Sequence, residues 1–197
     1  VEDALSSVSE SLVVVPYGHK RPCRLINIVE AGHPVPDNAG EKAARKILGI
    51  ASSLGADDLL VCLLSGGGSA LLSLPSTGII LDEKRDLTRE LLACGAGIHD
   101  INTVRKHLSD IKGGRLAAAA FPARTVTLAL SDVPGNDPAT IASGPTVGDA
   151  TSRKDALEIL SAYGIKPPPS IKAKLASPTA ESPFPNDLKL TASEIVI

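Results

Sequence analysis

The chain has 197 residues, which is enough for one sizeable α/β domain. Its formal net charge of −2 and its 2 % aromatic content argue against a nucleic-acid surface, and no apolar run has the length of a membrane span. Three cysteines without C-x-x-C spacing exclude the pattern of a disulfide framework or a structural zinc site and indicate a reducing, cytoplasmic setting.

Strand-like and helix-like patterns alternate along the chain. In chain order they predict strands at 12–15 and 25–29, a helix at 39–54, a strand at 59–64, helices at 82–94, 102–111 and 115–120, a strand at 125–130, a helical turn at 139–142, helices at 154–163 and 170–175, and a strand beginning at 194. Asp37 or Asn38 is predicted to cap the first helix, and Asp82 the second.

This alternation predicts the fold class. Fully apolar strands between amphipathic helices are typical of a three-layer α/β/α, Rossmann-like domain with a mostly parallel sheet. Ligands of such sheets bind beyond the carboxyl ends of the strands. Two polar loops, 65–69 and 131–137, follow predicted strands and are therefore site candidates.

The first loop is rich in glycine. Ser65, Gly66, Gly67, Gly68 and Ser69 separate the apolar strand from a helix-compatible segment. Exposed backbone N–H groups at such a turn favour phosphate or carboxylate. The loop lacks the lysine of a P-loop, and Leu71 stands where a dinucleotide turn or a nucleophile elbow needs glycine. The alternative is a plain strand-to-helix turn.

The segment 100–115 concentrates positive charge. In a straight helix Arg105 and Lys112 lie seven positions apart, on one face, where they would hold phosphate or carboxylate. The alternative is a solvated helix face. Gly113 and Gly114 favour the first interpretation, because paired glycines are costly in a helix unless the backbone approaches something closely.

Two further loops carry candidate polar groups. Ser131 and Asp132 follow the strand at 125–130, and Asp132 is a candidate Mg²⁺ ligand or hydroxyl-orienting carboxylate. The alternative is a turn that caps the next helix. Ser143 and Gly144 form a second Ser-Gly turn with hydroxyl and backbone N–H donors.

Six blocks together resemble a known family. They are YGH at 17–19, EAGHPVPD at 30–37, SGGGSALL at 65–72, INTVRKHLSDIKGGRLA at 101–117, SDVPGNDP at 131–138 and IASGPT at 141–146. In order and spacing they resemble the bacterial glycerate 2-kinases, whose large amino-terminal domain precedes a smaller MOFRL domain and which are also named hydroxypyruvate reductases.

The resemblance implies ATP-dependent phosphorylation of D-glycerate at the 2-hydroxyl, with ATP and Mg²⁺ as cofactors. It implies that loop 65–69, with Ser143 and Gly144, binds phosphate or the substrate carboxylate, and that Ser131 and Asp132 line the strand end. It implies catalytic roles for Arg105, Lys112 and Asp132, in which Arg105 holds an anion with help from Lys112 or Arg115. We expect a cytoplasmic enzyme without nucleic-acid or membrane partners, and a homodimer is compatible with the resemblance.

The chain lacks Met throughout and begins at Val1. We interpret residues 1–197 as a fragment of the large domain, without the family's first amino-terminal segment, which carries a catalytic lysine, and without its MOFRL domain. Such a fragment is expected to be inactive alone. Two alternatives stay open: a nicotinamide-dependent hydroxypyruvate reductase and a non-catalytic anion-binding module.

Overall fold

Parallel strands form the frame of the protein. The computed structural model describes residues 7–131 and 133–197. Its strands are β1 (Val13–Pro16), β2 (Ile28–Ala31), β3 (Leu59–Leu64), β4 (Arg124–Ala129) and β5 (Ser193–Val196). Within these residues β1 pairs with β2, and β4 lies between β3 and β5, all in parallel. The predicted α/β class is confirmed, with two sheets where one was expected.

Seven α-helices connect and flank these strands in the described residues. They are α1 (Asn38–Ser52), α2 (Gly68–Leu71), α3 (Leu81–Ala93), α4 (Ile98–His107), α5 (Arg115–Ala120), α6 (Arg153–Ala162) and α7 (Pro169–Ala176). Asp37 caps α1 as predicted, because its Oδ1 accepts the Gly40 N–H at 2.9 Å. None of the described helices combines the length and apolar character that a membrane crossing requires.

Two helix predictions were wrong in detail. Asp82 lies inside the first turn of α3, whose cap is Ile80, and Glu83 accepts the Ile80 N–H at 3.1 Å. The predicted helix 102–111 begins earlier and ends at His107. It ends there because the Ser109 hydroxyl accepts the backbone N–H groups of Ile111 and Lys112, at 3.3 and 3.4 Å, and so competes with helical bonding.

Two apolar clusters hold the elements that carry the site. One joins α1, α5 and β3 and includes Ala44, Leu74, Ile111 and Leu116. The other joins α3, α4, α6 and α7 and includes Leu91, Val104, Leu160 and Ile171. The first cluster therefore fixes the strand that leads into the glycine loop, and the second fixes the helix that carries Arg105.

The two predicted site loops leave the sheet at one edge. β3 and β4 pair in register from Leu59 opposite Arg124 to Leu64 opposite Ala129. The pairing continues one step further, because the Leu130 N–H donates to the Leu64 carbonyl at 2.9 Å. Parallel pairing thus brings the ends of both strands together, as expected for a ligand site of an α/β sheet.

Candidate functional site

The glycine loop packs tightly against two other segments. Gly67 has a φ of +80°, and a Cβ added there would lie 2.8 Å from Nε2 of His33. A Cβ added to Gly68 would lie 2.9 Å from Cβ of Ala142. Side chains at either position would force neighbouring atoms apart. Close approach therefore favours glycine at both positions, and the positive φ favours it at Gly67 as well, whereas Ser65 and Gly66 are exposed.

A short hydrogen-bonded chain links the glycine loop to α4. The hydroxyl oxygens of Ser69 and Ser143 lie 2.6 Å apart, and Ser143 donates to Oδ1 of Asn102 at 3.2 Å. Since the single Ser143 hydrogen is used on Asn102, the Ser69 hydroxyl donates to Ser143. Sequence reasoning missed Asn102, which is 6 % exposed. Its position three residues before Arg105, on the same helix face, was the available signal.

Arg105 and Lys112 converge on Ser69 although they do not share a helix. Arg105 Nη2 donates to the Ser69 carbonyl at 3.2 Å. Lys112 Nζ lies 3.5 Å from the Ser69 hydroxyl and donates to the Ala142 carbonyl at 3.1 Å. The structure therefore brings Arg105, Lys112, Ser69 and Ser143 together. The sequence predicts that Arg105 and Lys112 meet on one face of a straight helix, whereas here a turn after α4 brings them together.

A third cation, Lys84, lies behind them and was not selected from the sequence. Its Nζ donates to the Leu108 carbonyl at 3.0 Å, and its side chain is 5 % exposed. Among residues 7–131 and 133–197, the salt bridges include neither Lys84, nor Arg105, nor Lys112. All three side chains are instead bonded to neutral oxygens, and none of the carboxylates in the described residues forms a salt bridge with them.

Burial, assisted by mutual repulsion, lowers the pKa values of the cluster. Burial, with repulsion from Arg105 and Lys84, holds the pKa of Lys112 well below its ordinary value. Burial, then repulsion from Arg105, lowers the pKa of Lys84 to about 7, against an opposing attraction from Asp110. Burial also lowers the pKa of Arg105. Because a bound anion would offset these costs, the geometry and the electrostatics both favour anion binding.

The Ser143 turn is held in a strained conformation. Ala142 and Ser143 adopt φ values of +52° and +61°, a region that residues with a Cβ rarely occupy. The turn is fixed from the other side, because Gly113 N–H donates to the Ser143 carbonyl at 3.1 Å and Gly114 N–H to that of Gly144 at 2.8 Å. Such strain persists only where the surroundings over-determine it, and it concentrates at functional sites.

The paired glycines at 113 and 114 serve this contact. A Cβ at Gly113 would lie 2.9 Å from the Ser182 hydroxyl, and one at Gly114 would lie 3.2 Å from the Val147 carbonyl. Both residues also have positive φ, +58° and +80°. The expectation that these glycines permit close backbone approach is met, outside any helix.

Arg115 is occupied elsewhere. Its guanidinium donates to the carbonyls of Ala180 and Glu181 and to the hydroxyl of Ser182, each at 2.8 Å. These contacts join α5 to the 180–182 turn and do not involve Ser69. These contacts give the Arg115 side chain a structural role. Its predicted part in phosphate binding stays a prediction.

The strand-end residues are described only in part. Ser131 bonds within its own turn, its hydroxyl donating to the Val133 carbonyl at 3.3 Å and accepting the Val133 N–H at 3.1 Å. Asp132 lies outside the described residues, so its predicted catalytic and Mg²⁺-binding roles stay predictions. Within the described part of the chain, no three His, Cys, Asp or Glu side chains are grouped as metal ligands.

Lys106, the residue after Arg105 in α4, is also buried, and it does have a counter-ion. Lys106 Nζ lies 2.7 Å from Asp149 Oδ1, which also accepts the Thr151 hydroxyl at 2.7 Å. Hydrogen bonds from Lys106 and Thr151 outweigh burial and lower the pKa of Asp149. Among residues 7–131 and 133–197, a carboxylate thus pairs with this buried lysine, whereas no salt bridge reaches the cluster at Ser69.

Comparison with known proteins places the chain among relatives of named activity. A family described as "Domain of unknown function (DUF4147)" matches residues 1–176. A protein of Agrobacterium vitis that carries a hydroxypyruvate reductase name is 56 % identical over 83 % of this chain and 37 % of its own length. The D-glycerate 2-kinase of Thermotoga maritima is 46 % identical over 87 % of this chain and 42 % of its own length.

A solved structure agrees with the fold. The crystal structure of a glycerate kinase from Thermotoga maritima superposes with a TM-score of 0.87 at 45 % identity, covering 94 % of this chain and 44 % of that one. The chain therefore spans less than half the length of these relatives. The resemblance indicated by the six sequence blocks is confirmed, and the chain belongs to the DUF4147 family.

Proposed function

We propose that the full-length protein containing this chain uses ATP to phosphorylate D-glycerate at its 2-hydroxyl. The observation that carries the proposal is the convergence of Arg105 and Lys112 on Ser69, just after the glycine loop, with no salt bridge to either side chain in the described residues. The similarity to proteins named glycerate kinase supplies the substrate class. Cytoplasmic location and a homodimer belong to the same proposal.

Phosphoryl transfer asks mainly for positioning and neutralisation of charge. Arg105 and Lys112 would neutralise an anionic group beside Ser69, and the glycine loop would offer backbone N–H donors. The chain from Ser69 through Ser143 to Asn102 would hold both hydroxyls in fixed orientation. Mg²⁺ would lower the charge on the ATP phosphates, with Asp132 as its candidate ligand.

The test is a coupled assay of the full-length protein with ATP and D-glycerate, with identification of the product isomer. We expect ADP and 2-phosphoglycerate to form together. ATP hydrolysis without a phosphorylated acid, or no turnover in the presence of Mg²⁺, would contradict the proposal.

The hydroxypyruvate reductase name of the Agrobacterium relative makes NADH oxidation a second candidate. A nicotinamide-binding turn requires a third glycine, and Leu71 occupies that position, buried at the end of the one-turn helix α2. We therefore expect no NADH consumption with hydroxypyruvate. If NADH is consumed and no ADP forms from ATP and glycerate, the kinase proposal falls. A third possibility, an anion-binding module, predicts ligand binding without turnover.

A further inference from the structure

We propose that Lys84, Arg105 and Lys112 act as one cation triad that selects a phosphate dianion, so that the Ser69 site receives a phosphoryl group and not the acceptor's carboxylate. This inference rests on the proposed function, because the phosphoryl group and the carboxylate belong to ATP and D-glycerate, the substrates of that function. Lys84 acts in it as a positioning and charge-supplying residue from behind the site.

Lys84 is built into the support of the site. Its Nζ reaches from α3 to the Leu108 carbonyl, which also accepts the Ser76 N–H at 3.1 Å. Leu108 begins the turn that carries Lys112, and Asp110 N–H ties the same turn to the Leu74 carbonyl at 3.2 Å. Lys84 is therefore held beneath the turn whose last residues face Ser69, and it is not a surface lysine.

Salt bridges in the described part of the chain distinguish the triad from the other buried lysine. Lys106 is 6 % exposed and pairs with Asp149, whereas Lys84 and Lys112, at 5 % and 0 %, form no salt bridge within the described residues. Burying an uncompensated cation is costly, and burying two beside an arginine is more so. Since no carboxylate in the described residues forms a salt bridge with these cations, we expect the ligand to supply the counter-charge.

The number of cations favours a dianion. A phosphate group carries roughly two negative charges near neutral pH and three acceptor oxygens, whereas a carboxylate carries one charge. Coulomb energy scales with the product of the charges, so each cation gains about twice as much from phosphate at equal distance. Of the five N–H donors of Arg105, the bond to Ser69 occupies one within residues 7–131 and 133–197, and a guanidinium fork can meet several oxygens.

The test compares Lys84→Gln with wild type in the full-length protein. Glutamine removes the charge and keeps a polar N–H group, one bond shorter than lysine, on the side chain that faces the Leu108 carbonyl. The matched control is Arg89→Gln, which removes a cation from the same helix where it pairs with Asp86 at the surface, 67 % exposed. Calorimetry measures binding of inorganic phosphate and of D-glycerate, and steady-state kinetics measure KM for ATP and for D-glycerate.

We expect Lys84→Gln to weaken phosphate binding and raise KM for ATP by about tenfold, to change the D-glycerate values by less than about threefold, and Arg89→Gln to change neither. A loss confined to D-glycerate would overturn the proposal in favour of a carboxylate site. Equal values for Lys84→Gln and wild type would reduce Lys84 to a structural residue and would also overturn it.

A second measurement covers the case in which Lys84→Gln does not fold. The groups that act on Lys84 are Arg105, Lys112 and Arg115, which repel it, and Asp110, which attracts it. Phosphate entering the triad should favour protonation of the lysines, so wild type should take up protons on binding phosphate at about pH 8. Calorimetry in two buffers of different ionisation enthalpy reports this uptake, and its absence would overturn the proposal.

The two proposals fail separately. If phosphate binding depends on Lys84 and no product forms from ATP and D-glycerate, the triad stands and the kinase function falls. If the product forms and phosphate binding is independent of Lys84, the kinase function stands and the triad falls.

Discussion

Replacing Lys84 with methionine is expected to stabilise the folded protein near neutral pH. Methionine keeps the unbranched apolar stem of the lysine and removes the ammonium group. Burial, followed by repulsion from Arg105, lowers the pKa of Lys84 from 10.5 to about 7. The fold therefore disfavours the protonated form, and the variant removes that cost.

The direction of the pH dependence follows from the pKa of Lys84 in the unfolded and in the folded chain. Below about pH 7 both the unfolded and the folded chain hold the proton, and the full cost of burying the charge is present. As pH rises from about 7 to 10.5, the folded chain has lost the proton and the unfolded chain still binds it, so wild-type stability rises. The gain from Lys84→Met should accordingly be largest below pH 7 and should vanish near pH 10.5.

The magnitude has an upper limit set by that shift. At about 1.4 kcal/mol per pKa unit, a change from 10.5 to about 7 corresponds to about 5 kcal/mol. The variant loses the bond to the Leu108 carbonyl, worth about 1 kcal/mol, although that oxygen keeps the Ser76 N–H at 3.1 Å. Relaxation and water penetration lower the real cost of burial, so we expect a net gain of about 1–3 kcal/mol.

The assay is urea unfolding of the full-length protein at pH 6 and at pH 10, with Arg89→Met as the control for charge removal from an exposed position of the same helix. We expect a higher midpoint for Lys84→Met at pH 6 and a much smaller difference at pH 10, with Arg89→Met near wild type at both. Destabilisation at pH 6, or a gain of equal size at both pH values, would refute the reasoning that burial of the protonated Lys84 side chain destabilises the fold.

Three further predictions concern the site and its support. Arg105→Ala should lower kcat/KM for ATP and D-glycerate by about 10²–10³-fold with little change in the unfolding midpoint, and unchanged activity would count against the site. Gly68→Ala places a Cβ 2.9 Å from that of Ala142 and should cost about 1–3 kcal/mol together with anion affinity. In its control, Gly49→Ala in α1, the added Cβ meets no atom within 4 Å, and the variant should be stabilised by about 0.5–1 kcal/mol. Equal thermal-unfolding midpoints for Gly68→Ala and Gly49→Ala would contradict both expectations. Asp149→Asn leaves its buried lysine partner uncompensated and should cost about 3–5 kcal/mol at pH 7. Since the pKa of Asp149 is lowered, this loss should shrink as pH falls below about 4, and a denaturation series that shows no such trend would contradict the ion pair's role.

Local signals in the sequence determined much of the fold. The β3 prediction matches Leu59–Leu64, because a continuous apolar run bounded by polar residues has few alternatives. The Asp37 cap could also be predicted from the sequence, because it depends on a side chain and a backbone N–H only three residues apart. The glycine loop and Ser143 were selected on chemistry that needs no tertiary knowledge, and the motif blocks identified the family.

The tertiary structure decided which cations form the site. Lys84 reads as a polar position of an amphipathic helix, and only the packing of α3 against the turn after α4 buries it. Arg105 and Lys112 meet at Ser69 because the chain turns after His107, not because they share a helix face. The sequence also does not show which buried lysine has a counter-ion, because Asp149 and Lys106, which form an ion pair, lie 43 positions apart in the chain. Sequence patterns report local bonding and periodicity, whereas burial and charge balance depend on partners that only the folded chain brings together.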